Sequence, residues 1–252
     1  MIGAWHREGI GTELVLRCPG ALPGLYMIQT DASGERRFSY WRDSAPARRL
    51  LALPEMSRVE ATLLRHELIY LSGITLSLFD AAGRKRLFGI LDHLRAQGGQ
   101  VAFDTNFRPR GWPDRQAAVH AYGEILRRAD TVLVSTEDHA LLWGQTDTDR
   151  ILSQLRAHGM RELVLKLSEP GCLVVASGGE SVHVPALPCE RVVDTTAAGD
   201  SFAAAFLAAR AAGLDLRQAA ESGHRLARAV IAHRGAIIPR DAMPERIAAP
   251  AQ

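Results

Sequence analysis

The chain has 252 residues, of which 47% are hydrophobic and 23% are charged, and its formal net charge is +2. This length can bury a full core, and the composition is that of an ordinary globular protein. The small net charge and the lack of a Lys/Arg block argue against nucleic-acid binding, and no apolar run approaches the roughly 18 residues that a membrane span needs. The three cysteines are widely spaced and form no CxxC pair, which argues against a disulfide framework or a zinc site and favours the reducing cytoplasm.

The first third of the chain is predicted to be mainly β structure. Residues 1–9 have the layout of a helix end that stops at a glycine, and residues 13–17 form a short run before a Pro-Gly break. Residues 25–30 and 36–41 are predicted to form a hairpin around the turn signal at 31–35. Because the hairpin precedes a regular α/β pattern, it is a candidate lid over a site.

From residue 67 onward, short apolar strands alternate with longer helices. This alternation is typical of βαβ units and predicts an α/β fold with a doubly wound, largely parallel sheet. The strands are predicted at residues 68–73, 101–104, 131–135, 163–166 and 172–176. The helices are predicted at residues 84–97, 114–128, 137–143, 149–158, 198–212 and 216–233.

The strongest chemical signal is the small-residue segment 193–202, which leads into the predicted helix at 198–212. Small side chains let the backbone approach a ligand, and the first helical turn offers unpaired N–H groups and the positive end of a dipole. Asp200 lies in that turn, where a carboxylate can accept a proton from an attacking hydroxyl. Capping of the helix by Thr196 and Asp200 would explain the same residues, and residue chemistry alone does not decide between the two.

Polar residues also follow the predicted strand at 101–104. Asn106 is suited to hydrogen-bond a phosphate or a sugar, and Arg108 is suited to bind an anion through two parallel hydrogen bonds. The carboxyl edge of an open α/β sheet is where such folds bind ligands. An Asp/Asn turn with a surface arginine is the simpler interpretation of this segment taken alone.

Three later segments each have a structural explanation of their own. Ser135 and Asp138 have the spacing of a helix N-cap and its capping box. Residues 166–172 contain a Pro-Gly pair that favours a β-turn. Residues 233–239 follow the last predicted helix, and the glycine there is suited to end it.

Together these motifs resemble those of the ribokinase-like (PfkB) carbohydrate kinases. Residues 194–200 (DTTAAGD) are similar to the signature D-T-x-G-A-G-D, with Ala197 in place of the first glycine. Residues 104–108 resemble the family's D-x-N-x-R, residues 135–138 its N-x-x-E, and residues 166–171 its K-x-G-x-x-G. The resemblance covers nearly the whole chain and implies a ribokinase-like fold with ATP and Mg²⁺ as cofactors.

The resemblance also implies a role for each residue of these motifs. Asp200 would be the catalytic base. Asp138 would hold a water-shelled Mg²⁺ near the phosphates, and Asp194 lies where some members bind a monovalent cation such as K⁺. The backbone amides that would bind the γ-phosphate are those of Ala197, Ala198 and Gly199. The other ATP- or phosphate-binding positions are Asn106, Ser135, Lys166, Ser168 and Gly171, with Ser135 in place of Asn and Ser168 in place of Gly.

Within the family, the predicted hairpin resembles the lid of the 2-keto-3-deoxygluconate kinases. Residues 24–31 and 34–42 are similar to that group's G-L-Y-x-I-x-T-D and G-E-R-x-F-x-Y-W-R. The resemblance places Tyr26, Tyr40 and Arg42 on the substrate positions of the group. It implies that this chain transfers the γ-phosphoryl group of ATP to the primary hydroxyl of 2-keto-3-deoxygluconate, a sugar acid.

The residue types fit such a substrate. Two phenols offer flat apolar faces and hydroxyl groups to a sugar, and Arg42 and Arg108 can bind a carboxylate through paired hydrogen bonds. A sugar acid would need those arginines, whereas a neutral hexose would not. The alternative is a β-ribbon with a surface aromatic cluster and an arginine packed on Trp41.

The family is longer at its N-terminus than this chain. We therefore expect residues 1–252 to form a single PfkB-type domain that lacks the first sheet strand, further lid strands and a glycine-rich substrate loop. Residues 12–44 would be the remaining part of the β lid, and residues 60–252 the α/β core with the nucleotide site. Two alternatives stay open: an inactive or unstable remnant that at most binds nucleotide, and a PfkB kinase for another sugar such as fructose or ribose. Pairing of two copies through the lid is a further expectation, because lid-bearing members often pair in this way.

Overall fold

The structure is a computed structural model that describes residues 1–30, 36–168 and 170–245. The chain forms two compact units. The first consists of Met1–Ile69 and Thr75–Gln100, and the second consists of Tyr70–Ile74 and the chain from Val101 onward. In the described ranges, no helix is both long enough and apolar enough to cross a membrane.

The described residues contain eight strands and nine α-helices, and the strands and helices that the alternating pattern predicted occur in the predicted order. The strands are β1 (Leu25–Thr30), β2 (Arg36–Trp41), β3 (Leu68–Ser72), β4 (Gln100–Asp104), β5 (Thr131–Ser135), β6 (Glu162–Lys166), β7 (Cys172–Ala176) and β8 (Ser181–Val184). The helices are α1 (Ile2–Arg7), α2 (Met56–Leu63), α3 (Gly73–Leu78), α4 (Ala81–Ala96), α5 (Arg115–Leu126), α6 (Thr136–Trp143), α7 (Thr148–Arg156), α8 (Ala198–Ala211) and α9 (Leu216–Ile231). Short 3₁₀ helices lie at Pro46–Ala52, Pro109–Gly111 and Arg240–Ala242.

The first unit contains the predicted hairpin strands. β1 and β2 pair in antiparallel register, with Leu25 opposite Trp41 and Tyr26 opposite Tyr40. The predicted turn at 31–35 lies outside the described residues. The predicted β segment at 13–17 is wrong, because these residues form turns and irregular backbone. A run of five residues forms a strand only when a partner edge lies beside it, and the sequence does not encode that edge locally.

The α-helical part of the first unit is held by apolar packing and one arginine. Met56 and Val59 of α2 and Leu91 and Leu94 of α4 are buried. Arg86 of α4 donates to the Leu51 carbonyl at 2.6 Å and to Glu60 Oε2 at 3.2 Å. The N-terminus of α4 is capped by Asp80, which accepts a hydrogen bond from the Gly83 amide at 2.7 Å.

The main sheet has the strand order β3-β4-β5-β6-β7-β8. β4 pairs parallel to β5 and β5 parallel to β6, whereas β7 and β8 add antiparallel strands. The central residues of β5 and β6 are apolar and buried, as expected for parallel strands covered by helices on both faces. The predicted α/β sheet is confirmed, and β8 is a strand that the sequence pattern did not indicate.

One face of the second unit's sheet is covered by α8 and α9. Phe202 and Phe206 of α8 stack at 6.1 Å between ring centroids, and Ala219 and Ala220 of α9 are completely buried. Gly223 of α9 lies against the Phe202 ring so closely that a methyl group there would overlap it. These Ala-rich helices can therefore pack tightly, which holds the N-terminus of α8 in a fixed position.

Candidate active site

Three parallel strands of the second unit end side by side in polar residues. β4 ends at Asp104, β5 at Ser135 and β6 at Lys166, and Ser135 is the register partner of Lys166. The strand bodies are buried and apolar, so their polar ends are fixed in position. This is the carboxyl edge of the sheet, where the sequence predicted a ligand site.

The start of α8 lies at the same edge. Asn106 Nδ2 donates to Asp200 Oδ1 at 3.2 Å, although the two residues are 94 positions apart. Lys166 Nζ lies 3.6 Å from the position that a Cβ on Gly199 would take. The structure therefore brings together Asn106, Lys166, Gly199 and Asp200, which the sequence analysis had placed in three separate motifs.

The start of α8 differs from an ordinary capped helix start. Ala197 occupies the N-cap position in the left-handed conformation (φ +61°), and no side chain caps the helix. The Gly199 and Asp200 amides have no intrahelical acceptor by helix geometry, while the Ala198 amide makes a long hydrogen bond (3.3 Å) to the Thr195 carbonyl. Helix capping by Thr196 and Asp200 is thus wrong: the Thr196 hydroxyl donates to Asp194 instead, at 2.6 Å.

Asp200 itself is exposed, with its carboxylate outside the protein interior. The residue that holds it, Asn106, has a positive φ of +31°, and its amide donates to Asp104 Oδ1 at 3.2 Å. Asn106 Oδ1 is buried, and no hydrogen-bond partner for it lies among the described residues. Backbone strain and an unsatisfied buried oxygen both lower the stability of the folded state, and such unfavourable features are concentrated at functional sites.

Asp138 is a second buried acidic residue of this edge, beside Asp104. Ser135 caps α6 by accepting the Asp138 amide at 3.0 Å, which confirms the predicted N-cap. The Asp138 carboxylate accepts the Thr105 hydroxyl at 2.9 Å and lies 3.6 Å from Arg108 Nη1. Burial raises the pKa of Asp138, and the Thr105 hydrogen bond and the Lys166 charge oppose that rise. Among the described residues, no three His, Cys, Asp or Glu side chains form a ready metal cage.

The family model described as "pfkB family carbohydrate kinase" matches residues 1–243. The chain belongs to the pfkB family of carbohydrate kinases. Among its relatives are the 2-dehydro-3-deoxygluconokinase of Dickeya dadantii (strain 3937), with 44% identity over 97% of this chain and 79% of the relative, and that of Escherichia coli (strain K12), with 42% identity over 97% and 80%.

The fold agrees with this family membership. A solved PfkB protein from Polaromonas sp. JS666 superposes with a TM-score of 0.80 over 92% of this chain and 74% of its own. The identity to that protein is 24%, so the superposition supports the ribokinase-like fold alone.

Tyr70 is a residue of this pfkB kinase that the sequence analysis missed. It lies in β3 with 45% of its surface exposed, and partial desolvation of its hydroxyl together with the charges of Asp104 and Asp200 raises its pKa. Its hydroxyl therefore stays protonated beside the two carboxylates. The available signal was its position near the end of a strand that leads into Ser72 and Gly73.

The turn after β6 explains two predicted nucleotide residues structurally. Ser168 has a φ of +63°, which accounts for glycine at that position of the family motif, and its hydroxyl donates to Glu137 Oε1 at 2.8 Å. Gly171 has a φ of +111°, and a methyl group there would overlap the Val184 carbonyl. The β-turn interpretation accounts for both residues without a nucleotide, so their predicted contacts with ATP stay predictions. Glu169 lies outside the described residues.

Asp194 joins two loops of the kinase. Its Oδ1 accepts the Thr196 amide at 2.9 Å and its Oδ2 accepts the Gly235 amide at 2.9 Å. Asp194 thus fixes the segment before α8 to the segment after α9, which is a structural role independent of any cation.

In the first unit, the hairpin residues predicted to bind substrate lie near one another. The Arg42 guanidinium carbon is 6.0 Å from the centre of the Tyr26 ring, which is a cation–π distance. Tyr26 is half exposed, and Tyr40 is its register partner. The Tyr40 side chain lies outside the described part of the structure.

Proposed function

We propose that this pfkB kinase transfers the γ-phosphoryl group of ATP to the terminal primary hydroxyl of 2-keto-3-deoxygluconate, also called 2-dehydro-3-deoxygluconate. The observation that carries the proposal is the exposed Asp200 carboxylate, held by Asn106 at 3.2 Å beside a helix start of small residues. The identity to two kinases named for this substrate, above 40%, supports the choice of sugar. The proposal places the enzyme in the cytoplasm, the compartment that supplies ATP.

In this mechanism Asp200 accepts the proton of the sugar hydroxyl. The hydroxyl oxygen forms a bond to the γ-phosphorus as the bond from that phosphorus to the β-phosphate oxygen breaks, which leaves ADP. The amides at the start of α8 and the Lys166 ammonium face the charge that develops on the transferring group. Mg²⁺, when bound, neutralises part of the phosphate charge, and Asp138 is the acidic residue assigned to its water shell.

The sugar acid is recognised by its carboxylate in this proposal. Arg42 and Arg108 each present a planar guanidinium that can form paired hydrogen bonds with a carboxylate. Tyr26 and Tyr40 supply aromatic faces and hydroxyl groups to the sugar chain. The cation–π contact between Arg42 and Tyr26 supports the role of Arg42, because it limits the directions in which the guanidinium can point.

Two finer points belong to the same proposal. The loop bonds of Asp194 support a K⁺ site between the segments that it joins, since carbonyl groups of those loops are fixed relative to one another. Pairing of two copies through the β1–β2 ribbon is supported by three large exposed apolar side chains on that ribbon, which are Leu25, Met27 and Trp41. Sedimentation of the chain with and without the substitution Trp41→Glu would test the pairing.

A coupled assay of ADP release tests the proposed reaction. We expect turnover with 2-keto-3-deoxygluconate to exceed turnover with fructose or ribose, and NMR of the product to place the phosphate on the terminal primary hydroxyl. Arg42→Ala should raise KM for the sugar acid, whereas Arg225→Ala, which removes an exposed arginine of α9, should not. No ADP release with the sugar acid, or faster release with a neutral sugar, would contradict the proposal. So would an Arg42→Ala variant with unchanged kinetics.

A further inference from the structure

The second unit buries a carboxylate that the proposed mechanism does not use. Asp104, the last residue of β4, is 1% exposed. Its Oδ1 accepts the Asn106 amide at 3.2 Å, and its Oδ2 accepts Lys166 Nζ at 2.9 Å. One buried side chain therefore contacts both the residue that holds Asp200 and the lysine of the phosphate site.

The Lys166 ammonium is directed toward the start of α8. Its side chain is 16% exposed, and Nζ lies 3.6 Å from the position that a Cβ on Gly199 would take. An ammonium group has three donors, and the Asp104 carboxylate accepts one of them. The other donors remain for an anion bound at the helix start.

A stabilising role alone does not account for this pair. Desolvation of two charges costs about as much as their attraction returns, so a buried ion pair is a poor source of stability. A buried pair does, however, fix the position of both charged groups. Asp104 and Lys166 lie on strands β4 and β6, which are rigid and separated by β5.

We propose that Asp104 is a positioning residue for phosphoryl transfer, acting through Lys166. By holding the ammonium against the start of α8, it places a positive charge where the transferring phosphoryl group gains negative charge. This inference rests on the proposed kinase function. In this role Asp104 does not need to touch ATP or the sugar.

The first test is Asp104→Asn. Asparagine keeps the shape of the side chain and an acceptor for the Asn106 amide, but it removes the charge that holds Lys166. We expect kcat to fall about 100-fold, the cost of misplacing one catalytic group, while KM for the sugar acid is unchanged. The matched control is Asp130→Asn, because buried Asp130 accepts the backbone amide of Val101 at 2.9 Å. That control should lower thermal stability and leave kcat unchanged.

A comparison of kcat and stability separates positioning from structure. If Asp104→Asn lowers stability as much as Asp130→Asn but leaves kcat at the wild-type value, Asp104 is structural and the proposal is overturned. A raised KM for the sugar with unchanged kcat would overturn it as well, because it would assign Asp104 to substrate binding.

The second test is a double-mutant cycle with Lys166→Met. If Asp104 acts through Lys166, the double variant turns over as fast as Lys166→Met alone. Losses that multiply would show that Asp104 acts by another route and would overturn the proposal. The double variant leaves no unpaired buried charge, whereas Lys166→Met leaves the buried Asp104 carboxylate without its partner. Turnover of both variants is therefore compared below the lower of their two unfolding midpoints, so that only folded enzyme is measured.

A third measurement does not depend on turnover. If the wild-type chain fails to phosphorylate any sugar, the proposed function fails, and the position of Lys166 in a crystal structure of Asp104→Asn then tests the positioning inference. Lys166 Nζ displaced from Gly199 would support it. Lys166 unmoved would overturn it.

Discussion

The two ends of the same parallel strands are built in different ways. At the amino end of β4 to β6, polar groups bind the backbone or each other. The Asp130 carboxylate accepts the Val101 amide, and the Asp130 amide donates to the Val101 carbonyl. The Asp130 carbonyl accepts the amides of Arg161 and Glu162. Arg210 pairs with Glu162 at 2.5 Å and the Thr131 hydroxyl donates to the same carboxylate at 3.1 Å. These contacts join neighbouring strands to each other and to α8.

At the carboxyl end, some residues have a strained backbone, and one buried polar atom has no hydrogen-bond partner among the described residues. Among the described residues, the non-glycine residues with positive φ are Asn106, Ser168 and Ala197, and all three lie at this end. The same end carries the buried Asp104–Lys166 pair and the unpartnered Asn106 oxygen. One sheet thus concentrates its stabilising contacts at one edge and its conformational cost at the other, as expected if only the second edge does chemistry.

The largest expected effect comes from Gly73, just after β3. A methyl group there would overlap the Tyr122 hydroxyl and the Thr105 carbonyl, which are themselves joined by a hydrogen bond of 2.5 Å. Gly73→Ala should lower the free energy of unfolding by about 3 kcal/mol or more, measured by chemical denaturation. Gly89→Ala, at an exposed helix position with open space, is the control and should raise stability by up to about 1 kcal/mol. If Gly73→Ala unfolds at the same denaturant concentration as the wild type, this edge of the sheet is not tightly packed.

The next effect concerns Arg108, which is 61% exposed in its side chain and lies at the carboxyl end. Arg108→Ala should raise KM for the sugar acid about 10- to 100-fold, the value of one charge-assisted hydrogen bond, with a smaller effect on KM for ATP. Arg108→Lys should restore only part of the loss, since a single ammonium cannot form the paired hydrogen bonds of a guanidinium. Arg110→Ala, a neighbouring exposed arginine, is the control. Equal effects of the Arg108→Ala and Arg110→Ala variants would remove Arg108 from the site.

The electrostatic difference between the ends can be measured at Asp138. Burial raises its pKa in the folded state, so its contribution to stability is present below the unfolded pKa and is lost as pH rises through the folded pKa. Asp138→Asn stays neutral at every pH. The free energy of unfolding of this variant, relative to wild type, should therefore rise as the pH increases above the unfolded-state pKa of an aspartate. A difference that is constant or falls with pH would mean that the surrounding hydrogen bonds, rather than burial, dominate.

The smallest effect is expected at Ala197. Ala197 is in the left-handed region, where a non-glycine residue costs about 1–2 kcal/mol. Glycine would relieve this strain, but part of the gain is lost because glycine increases the conformational entropy of the unfolded chain. Ala197→Gly should thus stabilise the protein by up to about 1 kcal/mol. Ala204→Gly, in the right-handed part of α8, should destabilise it by a similar amount. Destabilisation by both substitutions would contradict the assignment of strain to the start of α8.

The sequence predicted most of the α/β core because its strands and helices carry strong local patterns. β5 and β7 have the predicted bounds, and α8 and α9 end within two residues of prediction. The eight-residue helix α2 and the four-residue strand β8 were missed. Elements this short have little stability alone: α2 depends on burying its apolar side, and β8 depends on pairing with β7.

The candidate site was predictable in its members but not in its pairings. Asn106 follows β4, Lys166 ends β6 and Asp200 lies in the first turn of α8, and parallel strands bring such positions to one edge. Which charges meet there depends on strand order, so the Asp104–Lys166 pair could not be inferred from spacing. Tyr70 carried no signal beyond its place in β3, since an aromatic residue in a strand is common.

The central claim is that Asp200 is the general base of phosphoryl transfer to the sugar acid. The most direct measurement is kcat of Asp200→Asn with 2-keto-3-deoxygluconate and ATP, with Asp215→Asn, the capping residue of α9, as the control. We predict that Asp200→Asn lowers kcat by at least about 100-fold while Asp215→Asn turns over like wild type. Near-wild-type turnover in Asp200→Asn would contradict the account.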